Sequence, residues 1–280
     1  MDRRRRLTAM PVDAELRTLE IDLPAQPDAL VKLSLLMADD DVNLPAISHL
    51  IENDMALAAA VLKAVNSSLY GLKGRVQSVH QAVTYLGMRE VAGITFEIGL
   101  RSAFPLAKEL EPLWVRSGQR GLMMGRLAQS LGLDTWASHS AGLFEECGKA
   151  VLFRHAPDHY RTMLRAATCD ADLVQLEHAG FGVSHDALGA ALCESWGLGP
   201  KAVDSVRHHV AAQATRQLPA PGPAHLVLAL SVVVQVLIDE PENLDAAIET
   251  LAAQADLDTT AVQRMTRRLQ EQFAFSLADA

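Results

Sequence analysis

Two adjacent carboxylates, Glu145 and Glu146, lie within the otherwise apolar stretch of residues 141–152. Asp and Glu are almost never fully buried without a partner, so this pair must either reach solvent or be paired. Lys149 follows about one helical turn later and brings a cation within reach of both carboxylates. Gly148 has no side chain and allows another backbone to pack closely here. These residue types predict a turn with the character of an altered active site.

Histidines elsewhere in the chain raise the question of a metal site. Taken by themselves, His185, His208 and His209 could join Glu145 and Glu146 in a metal cluster, because imidazole and carboxylate both ligate divalent ions. The alternative is that these histidines lie scattered along helix surfaces or cap helices. Separation in sequence does not decide between the two interpretations.

The elements that must position these residues are predicted to be helices. Apolar residues recur at three- and four-residue steps from Leu44, which indicates a core-facing stripe. We expect a break at Asn53 or Asp54, with Asp54 capping the next helix. An earlier helix is predicted over about residues 28–37, and Ser78 with Gln81 forms a capping-box pattern at a later helix start. No sustained alternation of β-branched residues is present, so the predicted fold class is all-α.

Charge and hydropathy limit the classes of function. The net charge is −9, of which residues 1–10 contribute +3 and the rest −12. An acidic body argues against general nucleic-acid binding, and residues 1–20 are predicted to be a basic, flexible tail. The longest apolar run, residues 226–238, contains Ser231 and Gln235 and is too short to span a bilayer. It is therefore predicted to be a buried core helix, and we expect no membrane contact.

Three cysteines, Cys147, Cys169 and Cys193, have no metal-binding or redox spacing. We interpret them as reduced core thiols, which together with the absence of a signal peptide predicts a cytoplasmic protein. Cys147 directly follows the two glutamates, but no histidine base stands at a recognisable spacing from it. A buried apolar role is therefore favoured over a nucleophilic one.

Four motifs in order resemble the HDOD (HD-related output) domain family of the HD superfamily. They are the stretch of residues 141–152, which resembles the family's G-L-L-H-D-I-G-K segment, and residues 53–57, 64–71 and 76–87. The resemblance covers about residues 23–210. It implies a multi-helix HD-like bundle at 21–210, with an N-terminal helical subdomain (21–105) and an HD-like subdomain (106–210). Residues 211–280 are expected to form a linker and C-terminal helices that pack on this domain.

The resemblance also implies where a metal site would have been. Glu145 and Glu146 stand where HD phosphohydrolases carry a metal-binding His-Asp doublet, and Arg116 stands near another ligand histidine. Further family ligand positions match His185 in its F-G-x-x-H segment and the late pair His208 and His209. Arg116 cannot coordinate a metal, so we expect it to pair with one of the glutamates. All six are interpreted as positions of a degenerate metal site.

The expected function is therefore a non-catalytic bacterial signal-transduction module that acts by binding a protein or small ligand. We expect no cofactor, no bound metal and no hydrolysis of nucleotides. The resemblance implies signalling partners, in cyclic-dinucleotide or two-component pathways. The alternative is a metal-dependent HD phosphohydrolase with unusual ligands. Asn66, Ser67 and Tyr70, at a helix end in the N-terminal subdomain, are candidate partner contacts, although a capping and packing role is an equal alternative.

Overall fold

The computed structural model describes residues 21–37, 43–67, 70, 72 and 74–278, with side chains as far as 273. Every regular element in these ranges is helical, so the all-α prediction is confirmed. The predicted tail, 1–20, lies outside the described residues. The α-helices are α1 (Asp28–Met37), α2 (Leu44–Glu52), α3 (Met55–Val65), α4 (Val79–Leu86), α5 (Met88–Ser102), α6 (Glu111–Ser130), α7 (Thr135–Phe144), α8 (Cys147–His155), α9 (Pro157–Ala166), α10 (Asp170–Phe181), α11 (His185–Ser195), α12 (Pro200–Thr215), α13 (His225–Asp239), α14 (Leu244–Ala255) and α15 (Thr259–Ala278).

Local sequence signals predict the bounds of α1, the break between α2 and α3, and the start of α4. Helix α1 has the predicted bounds, and Asp54 separates α2 from α3 by accepting hydrogen bonds from two backbone amides of α3 at 3.0 Å. Ser78 caps α4 through the amide of Gln81 at 3.1 Å. The Gln81 side chain reaches back to the amide of Gln77, one residue earlier than the standard capping box.

An aromatic cluster joins the N-terminal helices to the rest of the chain. Phe96 of α5 packs against Phe144 of α7 and Trp196 after α11, with ring centroids 6.0 and 6.3 Å apart. The indole N–H of Trp196 donates to the carbonyl of Pro24 at 2.9 Å, so the extended segment before α1 is fixed to α11. Burial of these large rings stabilises the contact between the two halves of the domain.

Helix α13 is the buried helix predicted from the apolar run of residues 226–238. It packs against α6, α7 and α12, and most of its side chains are buried. No helix in the described ranges is both long and apolar enough to cross a membrane. Residues 217–223, which precede α13, contain no helix, as their Pro-rich sequence predicts.

The close crossing of α8 and α11 depends on Gly148. A Cβ built at this position would lie 2.7 Å from the carbonyl carbon of His185 and 2.8 Å from the amide nitrogen of Gly189. Such distances leave no room for a side chain, so the absence of one brings the glutamate turn and the first turn of α11 together. The sequence-based expectation of close packing at Gly148 is confirmed.

The prediction that all three cysteines are core thiols is wrong for one of them. Cys147 and Cys193 are buried and free, whereas Cys169 is exposed. Cys169 lies immediately before α10, where the chain turns at the protein surface. Burial raises the pKa of the Cys147 thiol, which fits an inert side chain rather than a nucleophile.

Candidate functional site

Glu145 is completely buried at the turn between α7 and α8, and its partner is Arg120 of α6. The Arg120 Nε donates to the Glu145 carboxylate at 2.6 Å, and neither side chain has any exposed surface. Gln213 of α12 donates to the same carboxylate oxygen at 3.3 Å. A charge-assisted pair of this kind offsets the cost of burying the carboxylate, although the other oxygen, Oε1, has no hydrogen-bond partner among the described residues.

Glu146 is held by two other cations. The Arg116 Nε lies 3.2 Å from one carboxylate oxygen, and the Lys149 Nζ lies 2.7 Å from the other. The predicted ion pair between Arg116 and this turn is therefore present, and it is made to Glu146 rather than Glu145. Lys149 also contacts Asp170 of α10 at 2.7 Å.

Helix α13 contributes a polar stripe that completes the network. Ser231, Gln235 and Asp239 are spaced four residues apart, so they share one face of the helix. Gln235 accepts from Arg116 at 2.8 Å and from Arg120 at 2.6 Å, which connects the two arginines. Asp239 accepts two bonds from Arg116 at 2.9 and 2.6 Å. Ser231 and Gln235, which interrupt the apolar run, therefore bond the arginines of α6.

The charges of this network stabilise one another. Burial alone would raise the pKa of Glu146, but Lys149 and Arg116 outweigh it and hold that pKa below its usual value. Burial likewise opposes the charged form of Lys149, yet Glu146 and Asp170 raise its pKa. The hydrogen bond that Arg116 donates to Asp239 raises the pKa of Arg116. Glu146, Lys149 and Arg116 are therefore ionised at neutral pH.

His185 begins α11 and is oriented by a buried glutamate. Its Nδ1 lies 2.8 Å from an Oε atom of Glu177, which also accepts the His185 backbone amide at 2.8 Å. Tyr160 donates its hydroxyl to the same carboxylate at 2.5 Å. Because a carboxylate accepts, Nδ1 carries the proton, and Nε2 of His185 has no hydrogen-bond partner among the described residues.

His209 on α12 lies beside His185, with ring centroids 5.7 Å apart. Its Nδ1 donates to the Val206 carbonyl at 2.6 Å, and its buried Nε2 is again unpartnered within the described structure. His208 does not join them, which corrects the interpretation of both members of the late pair as site positions. Successive residues on a helix point about 100° apart, so His208 is exposed and bonds only the Asp204 carbonyl at 2.8 Å.

A compact group of ligand-type atoms lies beside the ion pairs. One atom each from Asp170, His185 and His209 lies within 4.8 Å of the other two. Burial raises the pKa of Asp170, but Lys149 and the neighbouring histidines outweigh it, so the carboxylate stays ionised. Burial lowers the pKa of His209, which keeps this imidazole neutral. One carboxylate and two imidazoles are metal-ligand types.

The metal that the HD superfamily places at its doublet does not fit the residues at that turn. Both glutamates are ion-paired with cations, and Arg116 stands where a ligand would be needed. A guanidinium next to the doublet position excludes a divalent ion by repulsion and supplies no ligand atom. Asp170, His185 and His209, in contrast, have ligand atoms close enough together to hold a metal ion.

An open cleft of about 800 Å³ lies above this network. Its walls come from α6, α8, α10, α12 and α13. The polar lining residues include Arg116, Lys149, Asp170, Arg216 and Asp239. Three cations and several carboxylates therefore meet solvent in one concave surface, which suits a charged ligand.

The candidate partner-contact residues lie in a different region. The Asn66 side chain donates to the carbonyls of Leu62 and Val76 at 2.9 and 2.8 Å and accepts from the Val76 amide at 3.2 Å. These bonds favour the capping and packing interpretation for Asn66. Ser67 is exposed, and Tyr70 is half-buried beneath the Arg126 guanidinium, 5.8 Å from its ring. A contact role for these residues stays a prediction.

Several site residues were missing from the sequence-based prediction. Arg120 has a signal, because it follows Arg116 by four residues and must share its helix face. Asp239 continues the spacing of Ser231 and Gln235 in the same way. Asp170 has no local signal, since only the packing of α10 beside α8 and α12 brings it to the histidines.

Comparison with known proteins places this architecture in a family. The sequence matches the HDOD domain over residues 23–212. It is 27% identical over 193 residues to an uncharacterised protein of Treponema pallidum, an alignment that covers 67% of this chain and 37% of that protein. This chain therefore spans little more than a third of that relative.

Three crystal structures share the fold. A proposed signal-transduction protein of Marinobacter aquaeolei aligns with a TM-score of 0.74 and 23% identity, covering 98% of this chain and 62% of the other. An HDOD domain protein of unknown function from Geobacter sulfurreducens aligns with a TM-score of 0.70 and 21% identity, covering 98% of both chains. A proposed phosphohydrolase of Shewanella amazonensis aligns with 0.69 and 19% identity, covering 92% and 95%. The match over most of the chain shows that this protein belongs to the HDOD domain family.

Proposed function

We propose that this HDOD protein is a non-catalytic module of bacterial signal transduction, acting by binding a ligand or protein partner. The observation that carries the proposal is the pairing of Glu145 and Glu146 with three cations. A hydrolytic metal site needs ligand atoms that face a common open coordination position, whereas at this turn three cations pair with the carboxylates and only Oε1 of Glu145 has no partner among the described residues.

The cleft above the network is the proposed binding site. Arg116 lines this cleft and bridges Glu146 of the turn to Asp239 of α13, with a side chain 28% exposed. An anionic group that enters the cleft competes with Asp239 for the guanidinium, since both offer oxygen acceptors. Binding would then loosen α13 from α6 and convert occupancy into a conformational change.

Membership of the HDOD family supports a role in signalling in general. Membership of the HDOD family implies partners in signalling, with cyclic dinucleotides as one class of anionic ligand to test first. The relative named for signal transduction shares the fold. We propose that the partner belongs to such a pathway and engages the cleft by an acidic or phosphate group.

The proposal is tested by binding and turnover measured on the same preparation. Isothermal titration with a panel of nucleotides and cyclic dinucleotides should identify a ligand that Arg116→Gln weakens about tenfold or more. Arg101→Gln is the matched control, because Arg101 is also ion-paired but lies outside the cleft. Equal weakening by both variants would contradict the cleft assignment.

Phosphate release from the same panel, with Mg²⁺, Mn²⁺ or Zn²⁺ added, should not exceed that of the buffer. The competing proposal is a phosphohydrolase with unusual ligands, and the Asp170, His185 and His209 group is the observation that favours it. Metal-dependent turnover that Asp170→Asn abolishes would replace the non-catalytic proposal with this one.

A further inference from the structure

The unpartnered nitrogens of His185 and His209 call for a ligand of their own. Both histidines are buried, with 0% and 1% of their surface exposed. Each Nδ1 is bonded to an acceptor, which fixes the tautomer and leaves a lone pair on each Nε2. Neither Nε2 has a hydrogen-bond partner within the described residues. A buried acceptor without a donor is unfavourable unless something occupies the space beside it.

We propose that Asp170, His185 and His209 bind one divalent transition metal ion, displaced from the turn that carries Glu145 and Glu146. A carboxylate with two imidazoles is a donor set for zinc and for neighbouring ions of the same class. Asp170 belongs to none of the family motifs in this sequence, and the two glutamates contribute no ligand. The proposed site therefore keeps two positions that the resemblance implies as family ligands, His185 and His209, and uses Asp170 in place of the doublet.

The spacing of the ligand atoms suits such an ion. Two ligands at about 2.1 Å from zinc in tetrahedral geometry are separated by about 3.4 Å. The three atoms here lie within 4.8 Å of one another, so closure needs a movement of about 1 Å shared among the side chains. Asp170 can supply it, because its side chain is 30% exposed and lies on the cleft wall, which also gives the ion a route of entry.

The surrounding residues supply the outer shell that metal-binding histidines require. Glu177 accepts from Nδ1 of His185 and is itself bonded by Tyr160, while the Val206 carbonyl accepts from Nδ1 of His209. Carboxylate and carbonyl partners of this kind orient imidazoles and make them better ligands. The positive charge of Lys149 disfavours a nearby metal ion. Of the two Asp170 oxygens, however, Lys149 bonds Oδ1, and its charge is balanced by Glu146.

This inference revises the expectation that no metal binds, which was drawn from Arg116 and the two glutamates alone. It goes beyond the proposed function and does not depend on it. The ion would tie α10, α11 and α12 together below the cleft, and no hydrolytic doublet is restored by it. Metal binding without hydrolysis is compatible with both the metal site and the non-catalytic function. Metal-dependent hydrolysis would overturn the non-catalytic function and leave the metal site standing.

The test is the metal content of chelator-stripped protein after loading with Zn²⁺ and removal of the excess. We expect about one ion per chain in the wild type and in His208→Ala. His208 is the matched control, because it is the adjacent histidine on α12 and is exposed. Asp170→Asn and His209→Gln should each weaken Zn²⁺ binding about 100-fold and change the visible spectrum of the Co²⁺-loaded protein.

Asp170→Asn keeps the test decisive even if His209→Gln fails to fold, since Asp170 lies at a helix start with part of its side chain in solvent. Circular dichroism of the metal-free variants checks folding. Wild type that retains less than about a tenth of an ion per chain would overturn the site. Loss of binding in His208→Ala equal to that in His209→Gln would also overturn it, as would Zn²⁺ affinity unchanged in Asp170→Asn.

Discussion

Replacing Arg120 with Met should be among the most destabilising single changes in the chain. Arg120 and Glu145 have no exposed surface, so the substitution leaves a carboxylate buried with only Gln213 as a donor at 3.3 Å. Breaking a buried pair from one side costs about 3–5 kcal/mol, most of it from the stranded charge. In a chain of this size that loss lowers the thermal midpoint by roughly 10 °C.

The double variant Arg120→Met with Glu145→Gln separates charge from packing. It removes the stranded charge while keeping the shape of the turn, so it should be more stable than Arg120→Met by at least about 1 kcal/mol. Urea denaturation of the wild type and of both variants measures these differences. The reasoning would be refuted by a single variant that loses less than about 1 kcal/mol, or by a double variant no more stable than the single.

Three further results are expected. Arg116→Met should lower the free energy of unfolding by only about 1 kcal/mol in urea denaturation. The Arg116 side chain is partly exposed, and Glu146 keeps its ion pair with Lys149 when Arg116 is removed. A loss as large as that of Arg120→Met would contradict this difference between the two arginines. Burial raises the pKa of Glu97 to about 7. The folded state therefore holds a proton that the unfolded state releases, and stability should fall as pH rises from about 5 to 7; Glu97→Gln should flatten that slope, and an unchanged slope would show that Glu97 is not its cause. Gly148→Ala should cost about 3 kcal/mol or more, since the new methyl group would lie 2.7 Å from a backbone carbon of α11, whereas Gly199→Ala, with no atom within 4 Å, should be nearly neutral in the same assay.

The sequence predicted what depends on local pattern. The bounds of α1, the cap at Asp54 and the buried helix α13 follow from periodicity and side-chain capping within a few residues. Partners that depend on packing were beyond such reasoning. Whether Glu145 meets Arg116 or Arg120 is decided by how α6 is rotated against α7, and the position of Asp170 depends on how α10 packs against α12.

The paired histidines show the same limit at the scale of one residue. His208 and His209 are equivalent as a sequence motif, yet only His209 faces α11. The rotation of α12 about its axis decides which one is buried, and residue identity carries no information about that rotation. A helical periodicity of burial along α12, with Val206 and His209 on one face, would have favoured His209.

The central claim is that cations, and not a metal ion, hold Glu145 and Glu146. Anomalous diffraction from a crystal grown with Mn²⁺ or Zn²⁺ tests it most directly, because it locates any bound ion relative to the two carboxylates. We expect no anomalous peak within bonding distance of either glutamate, with Arg116 and Arg120 in place against them. A peak bonded to Glu145 or Glu146, with Arg116 displaced into the cleft, would contradict the account.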